Sequence, residues 1–350
     1  MNKKLIDDYL KYDQSAGRYV MDPEQKVRDQ VERDHWKIVL RNLLRDWRLY
    51  LMLFPMLFIF FCWRYLPMYE LLASFKINLT NTNRVAEMDF VGFSNFYKAM
   101  FGTRRFEFWQ AFRNTFVLSA YGLLFGFPVP IILALFFNEI KSNAYRSILQ
   151  VLTYLPKFIS TVIITTLVWM LLSGEGLMPG ATPGVISKLL VNMGLISKEL
   201  AKEGVMFQAQ YFRPVYIIQG IWEGAGYGSI VYFAAVIAVS PTNYEAAQMD
   251  GAGKMQQLRY VVLPAMLSTI VIMLIVRIGS LLSIGYETVL LLQHNRTYET
   301  SQVISTLALK WKSDDVNLAT VPEMLNNITS MLLVIGANMI SRKVTETSLY

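Results

Sequence analysis

Long apolar runs constrain this chain most: over residues 49–69 and 111–137 there are too few polar side chains to face water on any side. A run of about 20 such residues, at roughly 1.5 Å of helical rise each, matches the hydrocarbon thickness of a bilayer. Of 350 residues, 54% are hydrophobic and 17% charged, and mean hydropathy is +0.34. That is too apolar for a soluble domain of this length. Inside a bilayer every backbone polar group must be bonded within its own segment, so the predicted class is an all-α membrane protein. Six transmembrane helices are predicted: 49–69, 111–137, a third through Tyr154 to Leu172, then 214–239, 261–284 and 324–340.

The formal charge of +7 is spread among the spans rather than gathered on one soluble face. It fits Lys and Arg meeting anionic lipid headgroups, not a nucleic-acid footprint. The lone Cys62 lies in an apolar run, which excludes a disulfide within the chain and a thiolate metal cluster. Residues 1–48 lack the short apolar core of a secretory leader. Within them Trp36, Leu40, Leu43 and Trp47 share one helical spacing, and Lys37, Arg41, Arg45 and Arg48 another. This predicts an interfacial helix resting on lipid, with a solvated tail as the alternative. Arg64 is placed to snorkel from the end of the first span.

Between the fourth and fifth runs lies a polar island, residues 240–264. Ser240 is placed to cap a helix, and Pro241 fits its first position, where no donor is missed. Ala246 and Ala247 favour helix and leave a shallow surface, whereas Asp250-Gly251-Ala252-Gly253 stops it. A second amphipathic set follows, with Leu258, Val261 and Val262 on one side and Lys254, Gln257 and Arg259 on the other. It is expected to end at Pro264, where the next span begins.

Glu245-Ala246-Ala247, Asp250-Gly251-Ala252 and Leu263-Pro264 resemble, in order and spacing, the EAA loop of permease subunits of binding-protein-dependent ABC importers. Two positions depart from that pattern, with Leu258 where an aromatic is usual and Ser268 where a second proline is usual. The resemblance implies that Glu245, Ala246, Ala247, Asp250, Gly251 and Ala252 form a cytoplasmic coupling helix and turn, docked in a cleft of a separate ATPase subunit. Further stretches are similar to carbohydrate permeases: residues 90–96, Tyr154-Leu155-Pro156-Lys157, Phe212-Arg213-Pro214 and Gly285-Tyr286-Glu287. The chain looks most like the maltose-type carbohydrate permeases, and the last three of these stretches resemble the branch that imports oligosaccharides derived from polysaccharides. The implied organisation is a cytoplasmic tail over 1–48, a first span and outer loop over 49–110, a type I importer permease core over 111–341, and a short tail over 342–350. The implied partners are a second homologous permease, an ABC ATPase dimer, an extracellular solute-binding protein, membrane lipid and a carbohydrate substrate. No cofactor is expected in this chain, since ATP and Mg belong to the ATPase.

The fourth span opens on Gln219-Gly220-Ile221-Trp222-Glu223-Gly224-Ala225-Gly226-Tyr227-Gly228. Its glycines are expected to weaken the helix, and Trp222, Glu223 and Tyr227 could then line a polar cavity. Close helix packing is the competing reading. Arg277 in the fifth span must face protein or water, and its partner is not legible. Orientation, with both termini cytoplasmic, rests mainly on the EAA-like loop, which by the resemblance must face the ATPase; bases such as Arg146, Lys254, Arg342 and Lys343 at the inner ends support it in part, since the outer loops also carry Arg84, Arg104 and Arg105. There is no phosphate-cradling GxxxxGK[ST] loop and no catalytic grouping around His35 or His294, so no enzyme is expected. The alternatives are a permease for another small solute or a self-sufficient secondary transporter.

Overall fold

The computed structural model describes residues 10–13, 18–21, 44–78, 85–174 and 182–345. The chain divides into two compact units, Met1–Glu70 and Leu71–Tyr350. In the first, Leu10–Asp13 pairs antiparallel with Arg18–Met21, setting Tyr12 opposite Tyr19. This hairpin was not anticipated, although Leu10-Lys11-Tyr12-Asp13 alternates with the period of a strand. Most of the predicted interfacial helix, including Trp36, Leu40 and Leu43, lies outside the described residues. Helix begins at Leu44 and Arg45, and Trp47–Phe60 carries Pro55 within it without a break.

Among the described residues four helices are long and apolar enough to cross a membrane: Trp47–Phe75, Arg105–Glu139, Lys254–Gly279 and Val316–Arg342. Two bent pairs supply the remaining candidates, Asn143–Phe158 with Thr161–Leu172 at 97°, and Ala209–Ile237 with Pro241–Met249 at 65°. The spans exceed the predicted ranges at most ends, because polar first and last turns continue the helix beyond the apolar stretch. In the third span the bend falls after Pro156, and the Ser160 hydroxyl accepts from Val162 N–H at 3.3 Å to start the next helix.

Three spans contain a five-residue π-turn ending two residues before a proline: Phe61–Tyr65 before Pro67, Gly122–Gly126 before Pro128, and Leu258–Val262 before Pro264. Proline offers no N–H, and its ring collides with the carbonyl four residues back in a regular helix. A wider turn moves that carbonyl away. In the first and fifth spans the closing bond reaches back five residues, from Leu66 to Phe61 and from Leu263 to Leu258. Pro264 therefore does not end a helix: residues 254–279 run on continuously, which corrects the expected break.

The fourth span corrects a second expectation. Ala209–Ile237 is one unbroken helix through all its glycines. Each interior glycine costs roughly 1 kcal/mol relative to alanine, but unbonded backbone in a bilayer costs several. Staying helical is the cheaper state.

The second unit packs around three apolar clusters. Phe108 and Ala111 of the second span meet Leu307 and Trp311 of Ile304–Lys312 and Leu318 at the start of the sixth. Leu118, Phe212, Val289 and Leu292 form the next, and Ala134, Tyr232, Val236, Val262 and Met266 the third. The loops expected over 173–213 and 285–321 thus contain short helices that cap the bundle, among them Val185–Asn192 and Tyr286–Leu292. Asn114, fully buried, binds these parts together. Its amide donates to the carbonyls of Glu299 and Gln302 at 2.9 and 3.0 Å, while its oxygen accepts from Arg213 at 2.9 Å.

Candidate functional site

The polar island folds as a helix, a tight turn and a second helix. Pro241–Met249 starts with proline at its first position, but Ser240 makes no cap bond to the backbone; its hydroxyl pairs with that of Thr242 at 2.7 Å. At the other end Gly251 has φ +75°, a left-handed conformation that a side chain would strain. Its N–H bonds the Gln248 carbonyl at 3.0 Å, and the Ala252 N–H bonds that of Ala247 at 2.9 Å. These two bonds make a complete Schellman motif, closing carbonyls the helix end would leave open.

Gln257 then locks the turn. It was expected on the polar side of its helix, but it is buried, and its amide donates to the Ala252 carbonyl at 2.8 Å. The turn needs this acceptor satisfied at its inner side, which spacing alone did not reveal. Gln256 accepts from Gly253 N–H at 2.7 Å, and Lys254 pairs with Glu139, at the end of the second span, at 3.1 Å. Tyr244 and Leu258 pack against the third apolar cluster, so leucine serves where an aromatic is usual. Glu245, Ala246, Asp250 and Gly251 remain exposed, with Ala247 and Ala252 half-buried beneath them. Asn243, Ala246, Asp250, Gln256 and Tyr260 line a shallow depression, and Met249 and Met255 stand out beside it at 89% and 73% exposure. The arrangement is a rigid knob with a soft apolar rim, fixed at its base to three spans.

A second feature lies among the second, fourth and fifth spans: a cavity of about 400 Å³. Glycines make the room. Gly220 and Gly224 face it, and a Cβ on either would meet nothing within 4 Å, while Gly122 and Gly126 line it from the second span. Gly226 does the opposite, since a Cβ there would lie 2.0 Å from the Thr153 carbonyl oxygen. The glycines differ in their surroundings: Gly226 packs the fourth span against the third, and Gly220 and Gly224 open space.

Glu223 and Arg277 both line this cavity, together with Tyr216, Ser283 and Thr288. The Glu223 carboxylate is held by Lys157 at 3.1 Å, a partner the sequence did not indicate because 66 residues separate the two. Among the described residues the Arg277 side chain forms no ion pair and no hydrogen bond. A charge within a spanning helix must look onto water or protein rather than lipid; Arg277, exposed in this chain, lines the cavity. Its place in the last helical turn also suits the negative end of the helix dipole. Trp222 and Tyr227 are outside the lining; both are half exposed, and Tyr227 meets Phe158 edge-on at 6.1 Å. Among the described residues no three His, Cys, Asp or Glu gather to hold a metal ion.

Comparison with known proteins identifies the family. Residues 126–297 match the family described as the binding-protein-dependent transport system inner membrane component. The chain is 33% identical over 310 residues to protein LplB of Bacillus subtilis, covering 88% of this chain and 92% of that one. The chain belongs to this family. It is 33% identical over 321 residues to the polygalacturonan/rhamnogalacturonan transport system permease protein YteP of Bacillus subtilis, covering 91% and 95%. In structure it is similar to a chain of a bacterial ABC transporter involved in the import of the acidic polysaccharide alginate, with a TM-score of 0.75 and 36% identity over 88% of this chain and 99% of that one. This inner membrane component is thus a permease subunit and a transport component rather than an enzyme. The family match spans the turn at Gly251, the fourth and fifth spans and the proline half of the second. It therefore contains Glu223 and Arg277 as well as the Glu245 to Ala252 knob.

Proposed function

We propose that this chain forms half of the path by which an oligosaccharide derived from a polysaccharide crosses the cell membrane, with ATP hydrolysed on a separate ATPase dimer. The observation that carries the reading is the exposed turn at Gly251, rigid in itself and continuous with the fifth span, a shape suited to a cleft on another protein. Glu245, Ala246, Asp250 and Gly251 would contact the ATPase, while a second, homologous permease would complete the path and an extracellular binding protein would deliver the sugar. Relatives named for the transport of polygalacturonan and rhamnogalacturonan, and a structural neighbour involved in alginate import in complex with a pentasaccharide-bound periplasmic protein, support the cargo and the delivering partner. The turn would face the cytoplasm, as would both termini. Glu223 and Arg277 would meet the sugar in the cavity, and Trp222 and Tyr227 on the adjoining exposed face offer rings for stacking against pyranose faces.

The test is Gly251→Pro in the complete importer reconstituted with its partners. Proline fixes φ near −65°, against +75° here, and removes the N–H bonded to Gln248. Uptake and stimulated ATP hydrolysis should both fall to background while the protein still inserts. Full activity would remove the coupling assignment. The wild-type chain alone in lipid should hydrolyse no ATP, and sugar entry driven there by an ion gradient would favour a secondary transporter.

A further inference from the structure

Resting on the reading of the cavity as part of the sugar's path, we infer that Asn326 and Ser305 set the width of that cavity, and so the cross-section of cargo it admits, from behind its wall. They are positioning residues that hold a backbone segment and never touch the cargo.

The wall is Ser280–Gly285, the non-helical stretch between the end of the fifth span at Gly279 and the helix Tyr286–Leu292. Ser280, Leu281, Ser283, Ile284 and Gly285 all line the cavity. A chain that leaves its helix at the end of a span strands carbonyls, because no following turn supplies their N–H partners. Some are closed locally: Ser280 N–H bonds the Val276 carbonyl at 3.1 Å, Leu281 N–H that of Ile278 at 3.1 Å, and Ser283 N–H that of Ser280 at 3.0 Å. Three more are closed from outside the segment, each by a different element. The Ser119 hydroxyl of the second span donates to the Leu281 carbonyl, the Asn326 amide of the sixth span to that of Leu282 at 2.8 Å, and the Ser305 hydroxyl of Ile304–Lys312 to that of Ile284 at 2.9 Å. A short segment pinned at three carbonyls has little freedom left, so the surface it turns to the cavity is fixed by what lies at its back.

Ser119 lines the cavity as well, but Asn326 and Ser305 do not. Asn326 is only 8% exposed, and its side-chain oxygen meets no donor among the described residues. Packing alone would favour a leucine of similar shape there, since a buried amide with half its hydrogen-bonding capacity unused is destabilising. What the amide adds is the bond to Leu282, itself fully buried. Gly279 keeps that reach short: a Cβ there would lie 2.9 Å from Val334 Cγ2, so the fifth and sixth spans approach closely beside the wall. Val334 and Asn326, eight residues apart, share one face of the sixth span.

The experiment uses the complete importer in proteoliposomes, with Cys62→Ala and a single new thiol, Ser283→Cys, in the wall. Thiosulfonate reagents of increasing diameter report the width of the cavity through the size at which labelling of this chain stops. Asn326→Leu should free the Leu282 carbonyl and raise labelling by reagents at the parent cut-off about tenfold, the population change that loss of one such bond implies. Ser305→Val should act in the same direction. Ser305→Thr, equal to valine in shape but retaining a hydroxyl, should keep the parent cut-off. Thermal midpoints are measured on the same samples, since a merely structural brace lowers the midpoint and leaves the cut-off where it was. That outcome for Asn326→Leu and Ser305→Val overturns the inference, as does a cut-off for Ser305→Thr equal to that of a widened Ser305→Val. Gly224→Leu separates this from the path reading: filling the cavity should abolish labelling of the wall. If labelling persists there at the parent rate with every reagent, the cavity is not the route to the wall and the path reading fails instead.

Discussion

Gly224 and Gly226 lie two positions apart on one helix and have opposite duties. A methyl group at Gly226 would sit 2.0 Å from a backbone oxygen of the third span, which cannot move without unseating the Thr153 turn. Gly226→Ala should therefore lower the thermal midpoint and the yield of monodisperse protein in detergent, with overpacking of this kind costing about 1–3 kcal/mol or more. Gly224→Ala should leave both near wild type, since nothing lies within 4 Å. Gly224→Leu should keep the fold but block the cavity and reduce uptake. Equal thermal midpoints for the two alanine variants would refute the assignment. The sequence showed that these glycines matter but not which does what, because helical phase tells which residues share a face and not what lies opposite. For the same reason Gln257 was placed on the wrong side and Lys157 was not matched to Glu223. The turn that ends Pro241–Met249 was legible, since its chemistry is local: a left-handed turn favours Gly251 where the helix ends.

At the scale of elements, apolar length and proline position announced the spans, but not how the chain would accommodate the prolines. The expectation that Pro264 ends a helix treated proline as a stop, as it is in water. In a bilayer the freed carbonyls must be satisfied, and a π-turn does this with the helix intact. Pro264→Ala restores an N–H able to bond the Tyr260 carbonyl and should convert Leu258–Val262 to regular α-helix. Removing a residue of winding should rotate the knob about the fifth span. Spin labels at Met255 and at an exposed site on the span should report a changed distance by pulsed resonance, with looser coupling of ATP hydrolysis to uptake. An unchanged distance would show that the π-turn is imposed by packing rather than by the proline.

For the whole molecule, the class and the order of spans could be read from hydropathy, whereas the arrangement of short helices over the bundle could not, because their partners are hundreds of residues away. Trp311 illustrates this: fully buried, it donates to Glu107 at 2.9 Å across 204 residues. Orientation can be measured directly. With Cys62 replaced by Ala, a cysteine at Met249 should react with a membrane-impermeant maleimide in inside-out vesicles and not in right-side-out ones. Added ATPase should protect it. Labelling from the outside would reverse the orientation proposed for both termini.

The fifth span is also a lever. Lys254 stands at one end of it and Arg277 near the other, so the two are separated by about 35 Å of helix at 1.5 Å per residue. No loop intervenes to absorb displacement, and the one irregularity, the π-turn, lies at the knob end. A tilt of about 10° about the knob would carry the guanidinium sideways by roughly 6 Å, about the pitch of one helical turn. Arg277 and the exposed turn at Gly251 therefore sit at the two ends of a single rod, and if the turn docks on an ATPase as proposed, motion there would reach the cavity with no relay of side chains between them.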